Sequence, residues 1–381
     1  MPETVLNFGA VYTPFARLDR ASIRIENGVV KSVKPYWVEG GEDFKEYTAV
    51  PAFVDTHMHG CCGYDTNRVR SEDDLKSMAK NLLRFGVGAF VPTTVTAPHE
   101  ELLRVAEVVG GVAGSDTGGA EVLGLHLEGP YINPEKRGAQ NPEFIRRPSI
   151  GELEEYYKAS HGKLLIIDVA PEVEGALELI AHARRLGIHV GMGHTNATYE
   201  EAVRGIEAGC DRAVHIFNGM RGFHHREPGV VLAALENPHV YVEVITDFIH
   251  LHPATVRLVI GYAGWTRTVL ITDAISATAL PDGTYELGGL KVIVKNGIAR
   301  LEDGTLAGST LTMDRAVRNV RSLGIELSRV LAMASFVPAR SIGAERYGCL
   351  VPGCYANIAV LDSGLNVVAT IIRGDVRYRR A

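Results

Sequence analysis

An apolar run, Ala49-Val50-Pro51-Ala52-Phe53-Val54, leads through Asp55-Thr56 into His57-Met58-His59. Alternate residues of a strand face the same side, so one metal ion can take both imidazoles. A lone His-x-His is weak evidence, because most such histidines are exposed or bonded to a carbonyl. Four more metal- or proton-competent side chains follow apolar runs further along: Glu128 in His126-Leu127-Glu128-Gly129-Pro130, His194 in Gly193-His194-Thr195-Asn196, His215 in Val214-His215-Ile216-Phe217-Asn218 and Asp273 in Thr272-Asp273-Ala274. Each has a bland reading of its own. Glu128 can pair with a basic side chain, His194 and His215 can be core histidines, and Asp273 can cap a helix. Their recurrence at the ends of five strand candidates favours a metal site. His126 is read as a supporting residue, because Glu128 ends the strand. Histidine and carboxylate ligands suit Zn, Fe, Mn or Co alike, and the set has room for one or two divalent ions.

The elements that must bring these residues together alternate in type. Strand candidates recur at Val50–Thr56, Val87–Thr93, Val122–Leu127, Leu164–Val169, Ile188–Gly193, Ala213–Ile216, Val240–Ile245 and Val269–Thr272. Helical stretches such as Glu72–Phe85, Gly175–Leu186 and Ala197–Ala208 lie between several of them. Eight such units predict a (β/α)8 barrel, whose strand ends converge on one mouth. Both ends of the chain are β-rich, so residues 1–48 plus 353–381 are expected to form a small β-sandwich around a barrel domain of 49–352. Thr284 to Arg300 reads as a β-hairpin inserted after strand eight, with Asn296-Gly297 as its turn. It is read as scaffold whose tip can gate the site.

The 381 residues are 46% hydrophobic and 22% charged, as in a globular protein. A net charge of −6 without a Lys/Arg block argues against a nucleic-acid surface. No apolar run approaches a membrane span, and MPETVLNFGA lacks the form of an export signal. The expectation is a cytoplasmic protein without a membrane partner. Its five cysteines are read as reduced thiols. Cys61 and Cys62 are read as pocket wall rather than as ligands.

Taken together, Pro51 to Gly60, Pro92-Thr93-Thr94, His126 to Tyr131, Gly193 to Ala197, His215 to Met220, Arg226-Glu227-Pro228-Gly229, Asp247 to His250, Thr272-Asp273-Ala274 and Leu306 to Ser309 form an ordered set. The set resembles the amidohydrolase superfamily of metal-dependent barrel hydrolases, and within it the branch that deacetylates amino-sugar phosphates. The resemblance implies that Glu128, His194 and His215 hold the main metal. His57 and His59 would hold a second one, with Glu128 bridging. Asp273 would be general base and then general acid. Ala139, Gln140, Asn218, Gly219, Arg226, His250, Leu306, Ala307 and Gly308 would line the substrate site, with Arg226 and His250 on the phosphate. A homodimer sharing that phosphate site is implied too. The implied reaction converts N-acetyl-D-glucosamine 6-phosphate to the free amine and acetate, with the galactosamine isomer as near alternative. A cyclic-amide hydrolase would need a lysine at the end of strand four, which Leu164 to Pro171 does not offer. A non-catalytic sugar-phosphate-binding barrel would be expected to have eroded ligands, and these are intact. Gly219, Phe248 and Phe223-His224-His225 depart from the branch's pattern around the sugar-phosphate pocket.

Overall fold

Eight parallel strands, paired in the order in which the chain makes them, surround the core of the computed structural model, which describes residues 4–380. They are Phe53–Met58, Val87–Thr94, Leu125–Tyr131, Leu164–Val169, His189–Met192, Arg212–Ala213, Tyr241–Ile245 and Thr268–Ile271. Nearly every residue in them is buried, as expected of parallel strands covered on both faces. Strand eight meets strand one through isolated bonds rather than a ladder. Asp273 N donates to His57 O at 3.0 Å, and His59 N donates to Ala274 O at 2.8 Å. The Thr272 hydroxyl donates to Asp55 Oδ2 at 2.5 Å, and burial pushes the Asp55 carboxyl up to about 7. The result is a nearly closed (β/α)8 barrel.

Helices cover the outside because their apolar residues fall on one stripe. In Glu72–Leu82, Leu75, Met78, Ala79 and Leu82 are buried. The helix Tyr199–Ala208 follows His194 and opens with a capping box. Glu201 N bonds Thr198 Oγ1 at 3.2 Å, and Thr198 N bonds Glu201 Oε2 at 2.8 Å. Such a cap contributes about 1 kcal/mol and fixes where the strand-five loop ends. Three helices, Met313–Ser322, Leu327–Ala334 and Phe336–Ser341, return the chain to its second β-rich region.

That region and the first one share a seven-stranded sheet. Its order is Asp375–Arg379, Val367–Ile372, Ile358–Leu361, Glu42–Pro51, Thr4–Tyr12, Arg17–Glu26 and Val29–Lys34. The expected ends of this unit, residues 1–3 and 381, lie outside the described residues. Three strand expectations need correction: Val122–Leu127 is instead Leu125–Tyr131, so Glu128 lies inside the strand and does not end it, and Ala213–Ile216 is instead Arg212–Ala213. The third, the run from Val50, does not belong to a single barrel strand. Ala49 and Pro51 pair with Val360 and Ile358 in the terminal sheet, and the barrel strand starts at Phe53. Proline has no N–H for a second ladder, and the chain changes sheets just after it. The insert after strand eight is three-stranded, Gly283–Leu287, Leu290–Lys295 and Ile298–Arg300, and turns at Asn296-Gly297 as expected. No helix among the described residues is long and apolar enough to cross a membrane.

Cys349 and Cys354 form a disulfide, with Cα atoms 6.0 Å apart, whereas Cys61, Cys62 and Cys210 are free. The expectation of five reduced thiols is therefore overturned. The bonded pair spans a short loop whose Cys354 O accepts from Val30 N, so it sits where the sheet meets the chain leaving the barrel.

Candidate metal centre

Glu128 projects from the middle of strand three to the centre of the barrel mouth, almost fully buried. Its Oε1 lies 2.9 Å from His215 Nε2, 3.1 Å from His194 Nε2 and 3.4 Å from His57 Nε2. Its Oε2 lies 3.4 Å from His59 Nε2 and accepts from Gln140 Nε2. Asp273 Oδ1 closes the far side, 3.0 Å from His59 Nε2 and 3.7 Å from His57 Nε2. Two groups of three ligand atoms result, Glu128–His194–His215 and His57–His59–Glu128, with Glu128 common to both. His194, His215 and Asp273 all sit at positive φ (47°, 31° and 51°), where non-glycine residues are uncommon. Three strand ends held this way turn their side chains into one space, which is where backbone strain tends to collect.

The histidine nitrogens facing away from the mouth are all engaged. His194 Nδ1 is 2.9 Å from Lys136 O, His215 Nδ1 3.1 Å from Asn218 O, and His59 Nδ1 3.1 Å from Thr93 O. His57 Nδ1 is 3.1 Å from a carboxylate, Glu243 Oε2. Each ring thus gives its Nδ1 proton outward and turns an Nε2 lone pair toward Glu128. Lone pairs facing carboxylate oxygens at about 3 Å repel unless a cation lies between them or each ring carries a second proton. Burial disfavours that second proton, yet the Glu128 charge outweighs burial and lifts His57 and His194 above the usual histidine range. His59 is lifted chiefly by its bond to Asp273, again against burial. Burial likewise opposes ionisation of Glu128, and the neighbouring histidines, His194 first, hold its carboxyl well below normal. A divalent ion would replace those protons. Nitrogen and oxygen ligands about 2.0–2.1 Å from a tetrahedral ion stand about 3.3 Å apart, and the Glu128–histidine separations bracket that value. The donor set fits a metal.

Beneath the ligands lies a buried polar floor. His126 Nε2 is 2.7 Å from Asp168 Oδ2 and its Nδ1 is 3.0 Å from Thr56 O. Both nitrogens are thus used, which agrees with a supporting role for His126. Gly191 leaves room for this pair, since a Cβ there would lie 2.1 Å from Asp168 Oδ1. Glu243 Oε1 accepts from Arg212 Nη1 at 3.0 Å, and both side chains are fully buried. Removing one partner of such a pair costs about 3–5 kcal/mol. Glu172, at the end of strand four, accepts from Thr195 Oγ1 and Asn196 N, both at 2.6 Å, and so fixes the loop after His194.

A cavity of about 200 Å³ opens over the ligands. His59, Glu128, His194, His215 and Asp273 line it, together with Ala139, Gln140, Asn218, Gly219, His250, Leu306 and Gly308. His57 lies behind it and Ala307 is buried in the small core under the hairpin. Arg226 is not in the cavity wall. It is exposed on the loop after strand six, 2.8 Å from His225 Nε2. Cys61 and Cys62 are not in the wall either: Cys61 is in the core and Cys62 packs against it. That corrects the pocket-wall reading. Phe248, at φ +66°, packs on the main core and does not narrow the cavity. Gly219, at φ +57°, is explained by space, because a Cβ would come within 2.9 Å of His194 Nδ1. Val95, Gly138, Leu287 and Thr305 also line the cavity and carry no sequence signal of their own. His250 stands on an Asp247 carboxylate at 2.7 Å. Burial opposes its protonation, but the bond to Asp247 raises its pKa above the usual value.

Residues 48–377 match the model of the amidohydrolase family. The chain belongs to this family. An amidohydrolase with these groups at its mouth is a hydrolase, and the family is generally dependent on divalent metal. The chain is 41% identical to an N-acetylgalactosamine-6-phosphate deacetylase of Escherichia coli O157:H7, over 98% of each chain. It is 38% identical to an N-acetylglucosamine-6-phosphate deacetylase of Vibrio furnissii, over 93% of this chain and 90% of that one. Among solved structures it is similar to an N-acetyl-D-glucosamine-6-phosphate deacetylase variant of Mycobacterium smegmatis in complex with N-acetyl-D-glucosamine-6-phosphate, with a TM-score of 0.94 and 33% identity over 99% of this chain and 100% of that one. The corresponding enzyme of Thermotoga maritima aligns with a TM-score of 0.90 and 34% identity over the same shares.

Proposed function

We propose that this amidohydrolase removes the acetyl group from N-acetyl-D-glucosamine 6-phosphate, giving D-glucosamine 6-phosphate and acetate in the cytoplasm. The observation that carries the reading is that the Glu128–His194–His215 group and Asp273 open on the same cavity as Gln140, Asn218 and His250. Glu128, His194 and His215 would hold the first ion; His57 and His59 would hold a second through a shared Glu128. When bound, a divalent ion supplies a nucleophilic water at neutral pH and polarises the acyl oxygen. Asp273 Oδ1 takes the proton of the attacking water and returns it to the leaving nitrogen. Burial works against its ionisation, but its bond to His59 keeps the carboxyl below the usual range, so the base is ready at neutral pH. Gln140, which donates to Glu128 Oε2, orients that carboxylate. Ala139, Asn218, Gly219, Leu306, Ala307 and Gly308 shape the sugar site, and His250 supplies a cation for the phosphate.

Arg226 would complete the phosphate site of a neighbouring subunit. It is exposed, as is Phe223 at 55%, and neither residue lines this chain's own cavity. The homodimer follows from that reading, and the division into 1–48 plus 353–381 and 49–352 belongs to it, with Ala49 to Pro51 moved to the terminal sheet in which they pair. Metal-reconstituted protein is expected to release acetate from N-acetylglucosamine 6-phosphate and to lose that activity to a chelator. Failure to release acetate from any amino-sugar phosphate would sink the proposal. A second reading, the galactosamine 6-phosphate isomer as substrate, is favoured by the 41% identical relative that spans 98% of the chain. The ratio of kcat/KM for the two isomers decides between them.

A further inference from the structure

Of the four histidines grouped around Glu128, three rest their Nδ1 on backbone carbonyls and only His57 rests it on a side chain, Glu243 Oε2 at 3.1 Å. Glu243 is fully buried and is itself held. Arg212 Nη1 donates to its Oε1 at 3.0 Å, and Arg212 Nη2 donates to Ser341 O at 2.9 Å. On the other side of the ring, His57 Nε2 is buried and makes no hydrogen bond among the described residues. Its nearest acceptors stand 3.4 Å away on Glu128 and 3.7 Å away on Asp273. We propose that Glu243, clamped by Arg212, is the positioning residue of the second metal position, committing His57 to bind through Nε2.

This contact sets both the tautomer and the basicity of His57. Glu243 Oε2 can only accept, so His57 must carry its proton on Nδ1 and present a lone pair at Nε2. An anionic partner also makes the imidazole a stronger donor to a cation than a backbone carbonyl does. Arg212 supplies the opposite charge that a buried carboxylate needs here, with its Nη1 3.0 Å from Glu243 Oε1 and both side chains fully buried. The first position, formed by Glu128, His194 and His215, draws its orientation from the backbone and does not depend on this strut. The strut therefore makes the second position separately tunable. This rests on the metal assignments of the proposed function.

Glu243→Gln is the test. Its amide has one acceptor for two donors, His57 Nδ1 and Arg212 Nη1, so either the ring loses its partner or Arg212 does. Chelated protein is reloaded with Zn, and metal per subunit is measured against free Zn. The expectation is two equivalents for the wild type, and for the variant a second equivalent weakened by about 10–100-fold, with the first unchanged. His57→Ala should remove the same equivalent, and adding Glu243→Gln to it should change nothing more. Glu243→Asp, which keeps the charge, should retain part of the second affinity and covers the case in which the glutamine variant does not fold. Two equivalents of unchanged affinity in Glu243→Gln, or equal weakening of both equivalents, overturns the role of Glu243. A wild type that takes up only one equivalent overturns the two-metal reading beneath it.

Discussion

Asp273→Asn separates proton transfer from everything else this residue does. The backbone of Asp273 bridges the barrel seam, donating to His57 O at 3.0 Å and accepting from Ser309 N at 2.7 Å. Those bonds survive the substitution. So does the backbone conformation, because asparagine tolerates the positive φ of 51° better than most residues. What disappears is a carboxylate, with Oδ1 3.0 Å from His59 Nε2, able to take a proton from water. A positioned general base is worth about 10²–10⁴ in rate, or about 3–5 kcal/mol in the barrier. We expect kcat to fall by that factor, with KM changed by less than about threefold. Acetate release from N-acetylglucosamine 6-phosphate gives both parameters, and metal analysis in parallel should find the Glu128–His194–His215 equivalent retained. The acid limb of the pH profile set by Asp273 should vanish with it. A variant that keeps its metal and turns over within threefold of wild type would refute the assignment.

Other perturbations probe other parts of the site. His250 owes its raised pKa to Asp247, so its charge is complete below about 6.5 and is lost as pH rises through the raised value. Asp247→Asn should move the alkaline rise in KM for the phosphorylated substrate to lower pH, and an unmoved rise would count against the His250 role. Arg226→Ala should raise KM at least tenfold for the phosphorylated substrate only. Mixing Arg226→Ala subunits with Asp273→Asn subunits should restore activity if the phosphate site is shared, and no recovery in verified mixed dimers would argue for separate sites. Reducing the Cys349–Cys354 bond, or replacing both residues by serine, should lower stability by about 2 kcal/mol on the loop-entropy estimate. A thermal melt that does not shift under reductant would show that the bond does not contribute.

The metal-competent groups were legible because parallel strands share a direction, so polar residues ending apolar runs collect at one mouth. Glu128, His194, His215 and Asp273 could be picked on that ground alone. Residues that support them were not. Glu243 pairs with His57 across 186 positions, and a glutamate within the apolar strand Tyr241–Ile245 gives no local sign of its partner. Arg212 was equally silent, since nothing nearby in sequence shows that it is fully buried against that glutamate. The helix Gly229–Glu236 carries a weak helical signal, because its residues are apolar nearly all round and blur the helical period. The split at Pro51 was missed because strands in two different sheets are both apolar and follow one another after a single intervening residue. Cys349 and Cys354 were misread because an odd cysteine count says nothing about which thiols the fold brings together.

The proposed activity needs an ion at the barrel mouth acting on an acetylated amine whose phosphate is held at the rim. The most direct measurement compares kcat/KM for N-acetylglucosamine 6-phosphate, its galactosamine isomer and unphosphorylated N-acetylglucosamine, on chelated and metal-restored protein. The expected result is acetate release that returns with the metal and favours the phosphorylated glucosamine substrate by at least a hundredfold over the unphosphorylated sugar. Equal turnover of the unphosphorylated sugar, or activity that survives complete removal of metal, would contradict it.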